Sequence, residues 1–293
     1  MALQLRGRAL IASILITSGF DFTLFGYDQG VFGGILAGER LQDTLGNPNP
    51  TMTGLVTAIY DIGCALGAIA AFAWGERLGR KNSIIVANII VIIGAAIQTA
   101  SFDYWQMFVS RITAGVGVGL STVAVPILRS ETLSAHNRGA LLVVQGALIV
   151  FGSTVASWLC FATLHANNSL QWRFPVACQM LFSGLTLTSA LFVPESPRWL
   201  AKCGRNDEAP KVISRLLDVD ENSTEVPGQL SEILEAIATE ESDADPTWRE
   251  VFTNSTRTRN LQRAILGMGP YLMNQWSGIN TVSIPRMSSS FVS

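Results

Sequence analysis

The sequence predicts an all-α polytopic membrane protein, and three observations carry that prediction. Of 293 residues, 48% are hydrophobic and only 14% charged, against about 25% charged in an ordinary globular domain. The apolar residues are gathered into runs of the length, about 20 residues, that a membrane-crossing helix needs. The positive residues fall between alternate runs, as the positive-inside rule requires.

About six spans are predicted, at residues 10–37, 52–74, 83–100, 105–128, 140–164 and 174–193, with a partial seventh from Ala264. Arg6 and Arg8 precede the first; Arg77, Arg80 and Lys81 follow the second; Arg129 and Arg138 follow the fourth; Arg198, Lys202, Arg205, Lys211 and Arg215 follow the sixth. Arg40 and Arg173 are the exceptions in the alternate loops. This pattern predicts a cytoplasmic N-terminus. The first span exceeds a signal-peptide core and is expected to be retained.

Three domains are expected: 1–194 as a six-helix bundle, 195–263 as a cytoplasmic helical linker, and 264–293 as the start of a seventh span with a polar tail. In the linker, helices are expected near 207–217, with Asn206 as a cap and Pro210 tolerated in the first turn, and near 230–239.

Charges within the spans are the informative residues. Asp21 and Asp28, seven apart in SGFDFTLFGYDQGVFGG, share a helix face that should avoid lipid. Asp28 belongs to the outer half of the first span. Arg111 stands six residues into a helix that enters from outside, about 9 Å deep at 1.5 Å per residue. Opposite charges at matching depth predict a pair. A plain structural ion pair is the alternative to a functional one. Asp61 in the second span is open between hydrogen bonding and a role in a pathway.

Other spans carry packing signals. Gly63 and Gly67, and Gly115, Gly117 and Gly119, suit close helix contact. The short GERLGRK turn at 75–81 makes the second and third spans antiparallel neighbours. Cys64, Cys160 and Cys178 lie in spans and Cys203 outside them, with no metal-ligand spacing and no expected disulfide framework. Asn167-Asn168-Ser169 matches a glycosylation sequon. With no Gly-rich phosphate loop, metal cluster or nucleophile–base set, neither an enzyme, a cofactor, a metal nor a nucleic-acid partner is expected.

FGYDQG at 25–30, ERLGRK at 76–81, SRITAGVGVG at 110–119, VPILRSE at 125–131, NRG at 137–139, PESPRWL at 194–200 and NQWSGIN at 274–280 stand in one order along the chain. Together they resemble the sugar porter family of the major facilitator superfamily. The resemblance implies the six-helix N-terminal bundle of that fold, with nested inverted repeats, followed by cytoplasmic helices and a partial seventh span. It implies a proton-coupled symporter for a sugar or related polyol, working by alternating access, with substrate, protons and the lipid bilayer, most naturally the plasma membrane, as its partners.

The resemblance assigns roles by position. Asp28 is implied as the protonation site and Arg111 as its modulator. Glu76, Arg77, Arg80, Lys81, Glu131, Arg138, Glu195 and Arg198 resemble a cytoplasmic charge network that latches two bundles. Gln275 and Asn280 match substrate-binding amides of the seventh helix, while Asn274 stands where glutamine is usual. In the fifth helix the usual glutamine position is Gly146, and Gln145 lies one residue before it. That displacement, about 100° around a helix, allows a polyhydroxylated substrate other than a hexose. For Gln145 an amide bridge to a neighbouring helix is the other reading.

The resemblance covers residues 10–283 and about half of a twelve-span architecture. It implies a truncated form, with a missing C-terminal bundle as the partner that holds the other half of the latch, and with Ile284 and Pro285 where the family has paired tyrosines. A non-transporting fragment or a sensor-like relative is the competing expectation.

Overall fold

A computed structural model describes residues 5–36, 38–133, 138–166, 168–221, 223–242 and 260–276. Arg138 opens a helix, but its side chain, those of Asn274 and Gln275, and all of Asn167, Asn280 and the tail after Ser283 lie outside the described residues. The chain divides into two compact units, residues 1–226 and 227–293.

The first unit is built on six long helices: α1 (Gly7–Ile35), α3 (Pro50–Leu78), α4 (Arg80–Thr99), α5 (Tyr104–Thr132), α6 (Arg138–Thr163) and α7 (Leu170–Ala190). Each of the six full-length predicted spans falls on one of these helices, with its bounds shifted by a few residues. A short α2 (Glu39–Thr44), unexpected from the sequence, fills the first connection. Five of the long helices are apolar enough to cross a membrane by length and composition. The exception is α7, in which Gln171, Arg173 and Gln179 lower the mean hydropathy. It is nevertheless packed into the bundle against α1, α4 and α6.

Two sets of contacts form the bundle. α5 packs against both α3 and α4, and α1 packs against α6 and α7. Small residues allow these approaches. At Gly119 a Cβ would overlap the Cys64 carbonyl of α3, and at Gly26 it would overlap the Ile149 carbonyl of α6. Only backbones in direct contact leave so little space. Buried side chains fill the rest, with Phe22, Ile84, Val125 and Leu128 at the end where α3 turns into α4. Tyr27, Phe32, Met107 and Trp172 occupy the other end. Ile62, Ile69, Phe72, Val143, Phe151 and Trp158 remain exposed, as on a bundle whose outer surface meets an apolar medium.

At the α3–α4 end, called the charged end below, α8 (Pro197–Lys202) and α9 (Ala209–Leu217) pack on each other, and α9 packs on α1. Ile213 and Leu200 are buried, and Arg215 Nε donates to the Leu5 carbonyl at 3.2 Å. α9 starts with Pro210 in its first turn, as expected, but Glu208 rather than Asn206 is its N-cap and supplies no side-chain cap. α10 (Glu225–Ser242) crosses the unit boundary. In the second unit, α11 (Asn260–Trp276) has 17 residues, about 26 Å at 1.5 Å per residue.

Candidate functional site: a buried charge pair and a charged helix end

Asp28 and Arg111, 83 positions apart, meet inside the bundle. Arg111 Nη1 donates to Asp28 Oδ1 at 3.2 Å and lies 3.4 Å from Oδ2. Both residues are 2% exposed. The geometry follows from the helices: α1 and α5 run side by side, so depths matched in the sequence become contact in space.

Gln179 of α7, which the sequence reading did not single out, completes the site. Its Nε2 donates to Asp28 Oδ1 at 2.6 Å, so the carboxylate is held by a cation from one helix and an amide from another. A charged acceptor makes such bonds about twice as strong as neutral ones. The guanidinium carbon also lies over two rings, 3.6 Å from the Phe32 centroid and 4.2 Å from that of Tyr60, contacts that favour a cation. Arg111 Nε and the Tyr60 hydroxyl are buried without a hydrogen-bond partner among the described residues. Polar capacity is therefore left beside the pair.

The other acids differ. Asp21 is buried on the same face of α1, as expected, and accepts a hydrogen bond from the Ser121 hydroxyl of α5. Asp61 lies on an exposed face of α3.

At the charged end the expected network is partly assembled. Arg80 holds Glu131 by two bonds, Nε to Oε2 at 3.2 Å and Nη2 to Oε1 at 3.1 Å. Glu195 Oε1 accepts from the backbone N–H of Arg80 at 2.7 Å and of Lys81 at 3.0 Å. It thereby satisfies amides that the first turn of α4 leaves free and meets the positive end of its dipole. Gly79, at φ 87°, makes the turn into α4 directly under this carboxylate. Lys81 Nζ donates to the Leu191 carbonyl at 3.0 Å. Lys202 Nζ pairs with Glu76 Oε1 at 2.6 Å, both well exposed, and Trp199 Nε1 donates to the Glu76 carbonyl at 2.6 Å. Arg77 is exposed and Arg198 half-buried.

Arg80, Glu131 and Glu195 thus find partners within this bundle. The reason is local: residues 194–202 fold back onto the α3–α4 turn and present Glu195 to backbone groups.

The predicted substrate amides are not gathered by the described residues. Gln145 Oε1 accepts from Arg129 Nη2 at 2.8 Å, which is the interhelical amide bridge. Gln275 and Asn280 fall outside the described side chains.

The comparisons agree with one another. A family model described as "Sugar (and other) transporter" matches residues 13–288. The MFS-type transporter oryC of Aspergillus oryzae is 37% identical over 283 residues, 95% of this chain and 52% of that protein. Sugar transporter STL1 of Saccharomyces cerevisiae is 35% identical over 289 residues, 94% of this chain and 50% of that one. The chain thus spans about half the length of the curated relatives it matches. In fold it is similar to the xylose transporter XylE from E. coli in a partially occluded inward-open conformation, with a TM-score of 0.75 and 23% identity over 94% of this chain and 65% of that one. A multi-pass helical bundle, a family match along nearly its whole length and the two relatives named above place this chain in the sugar transporter family of the major facilitator superfamily.

Proposed function

We propose that these residues are the N-terminal half of a proton-coupled carrier for a sugar or related polyol, working by alternating access in the plasma membrane with a cytoplasmic N-terminus. The observation that carries this reading is the sealed pair of Asp28 and Arg111. Arginine stays charged at any physiological pH, whereas a carboxylate can accept a proton. Protonation of Asp28 would cancel its attraction for Arg111 and leave the guanidinium to find other acceptors. Release of that cation is a change of charge that α1, α5 and α7 all feel, since each contributes to the site. A substrate hydroxyl reaching the Tyr60 hydroxyl or Arg111 Nε would be coupled to the same event.

Ionisable groups at bilayer depth are functional by default, and the name of the STL1 relative supports a sugar-class substrate. Glu76, Arg77, Arg80, Lys81, Glu131, Arg138, Glu195 and Arg198 belong in this reading to the charge network that latches the two bundles and separates when the cytoplasmic side opens. Gln145, Gln275 and Asn280 are proposed to face the substrate when a second bundle is present.

Because the chain spans about half of its relatives, a non-transporting form is the second reading. Uptake separates the two. Cells expressing these 293 residues alone, and cells expressing them together with the second half of a relative, are given labelled pentoses, hexoses and polyols. Uptake accompanied by alkalinisation of the medium supports the carrier. Absence of uptake in both cases supports the non-transporting form.

A further inference from the structure

Arg129, in the last turn of α5, is 7% exposed and lies at the charged end of the bundle. Its neighbours set it apart from Arg111 and Arg80. Arg111 faces Asp28 and Arg80 faces Glu131, but no described carboxylate pairs with Arg129. Its Nη2 donates to Gln145 Oε1 at 2.8 Å, its Nη1 reaches the Leu141 carbonyl at 3.5 Å, and its guanidinium carbon lies 5.7 Å from the Phe22 ring centroid. Every one of these partners is neutral. Dipoles and a ring face offset part of the cost of burying a cation, but among the described residues no carboxylate balances its charge.

The guanidinium borders a cavity of about 290 Å³ between the ends of α5 and α6. Pro126, Ile127, Leu133 and Leu141 give it apolar walls, and Arg129 and Ser130 supply its polar wall. We propose that this cleft binds an oxyanion carried on an apolar body, with Arg129 as the anion-holding residue. The planar fork of arginine suits a carboxylate or phosphate. Nη1, held only by a long contact, is the donor that a ligand would recruit. In this arrangement, without a second bundle, Gln145 fixes the orientation of Nη2 and leaves the other edge of the fork for the anion. A neutral polyol fits poorly, since it brings no charge to the guanidinium and buries hydroxyls against leucine and proline.

The chemistry is shared by two sources. One is a free organic acid; the other is the headgroup of an anionic lipid in the leaflet at the charged end, where basic sites between helices bind such headgroups. The site is independent of proton-coupled transport and stands or falls by binding alone.

The test uses the purified 293-residue chain in phosphatidylcholine nanodiscs, followed by thermal unfolding and tryptophan fluorescence. One arm adds hexanoate, with hexanol as its uncharged control; the other replaces part of the lipid with phosphatidylglycerol. Stabilisation by hexanoate beyond hexanol identifies a free acid, and stabilisation by phosphatidylglycerol alone identifies a lipid headgroup. In either case Arg129→Gln should weaken the response about tenfold, the size expected for loss of a charged hydrogen bond. Arg129→Lys should retain part of it. Circular dichroism checks that the variants keep their helical content. If neither anion stabilises the unaltered chain, or if Arg129→Gln responds as the unaltered chain does, the proposal is wrong; the first outcome needs no variant to fold.

Discussion

Gln179 of α7 and Arg111 of α5 grip the same carboxylate, that of Asp28, at 2.6 and 3.2 Å, and none of the three residues is more than 2% exposed. Three helices are thereby tied to one ionisable atom pair. Whatever changes the charge on Asp28 must be felt by all of them.

The first prediction concerns the pair itself. Asp28→Ala leaves Arg111 charged, buried and unmatched, which should cost about 3–5 kcal/mol. Arg111→Leu in the same chain removes the stranded charge, so the double variant should be more stable than Asp28→Ala alone. Thermal unfolding in detergent, compared as a double-mutant cycle, checks this. Equal stability of the single and double variants would contradict it.

Gln179→Leu keeps volume and removes one donor to a charged acceptor. A loss of about 1.5–3 kcal/mol is expected, the usual worth of a hydrogen bond to a charge. Gln179→Glu should do more damage, because it sets a second carboxylate against Asp28. Chemical denaturation of the purified chain distinguishes the two.

The charged end offers a contrast. Glu195→Ala strips an acceptor from the Arg80 and Lys81 amides and should cost about 0.5–2 kcal/mol, as loss of a helix N-cap does. Glu76→Gln breaks only the exposed pair with Lys202 and should change stability by at most about 1 kcal/mol. Denaturant midpoints of the two variants, measured side by side, check the order.

Helix contact gives the fourth prediction. A side chain at Gly119 would drive into the Cys64 carbonyl, so Gly119→Val should force α3 and α5 apart at a cost of at least about 1–3 kcal/mol. Gly139→Ala, where nothing lies within 4 Å, is the control. Monodispersity by size-exclusion chromatography reads the difference.

Much of this was legible in the sequence because the membrane leaves so few options. A charge within an apolar run is conspicuous, so Asp28 and Arg111 could be paired by depth alone. Gln179 was not legible, since a glutamine in a span carries no charge to balance and no periodicity to break. The partners that Glu195 has within this bundle are backbone amides, which no side-chain pattern announces. Gln145 was open between substrate and helix bridge, and its hydrogen bond to Arg129 depends on how α5 and α6 splay at their ends. α7 illustrates the limit of hydropathy: the same buried Gln179 that lowers its average is the one that completes the site.

The central claim is that the charge on Asp28 couples proton entry to substrate movement. Its most direct test is accumulation in vesicles bearing an inward proton gradient, with the chain co-reconstituted with the second bundle of a relative. Asp28→Asn keeps the shape and removes the charge, and it should abolish accumulation against a gradient while exchange of labelled for unlabelled substrate continues. Undiminished uphill accumulation by Asp28→Asn would contradict the account.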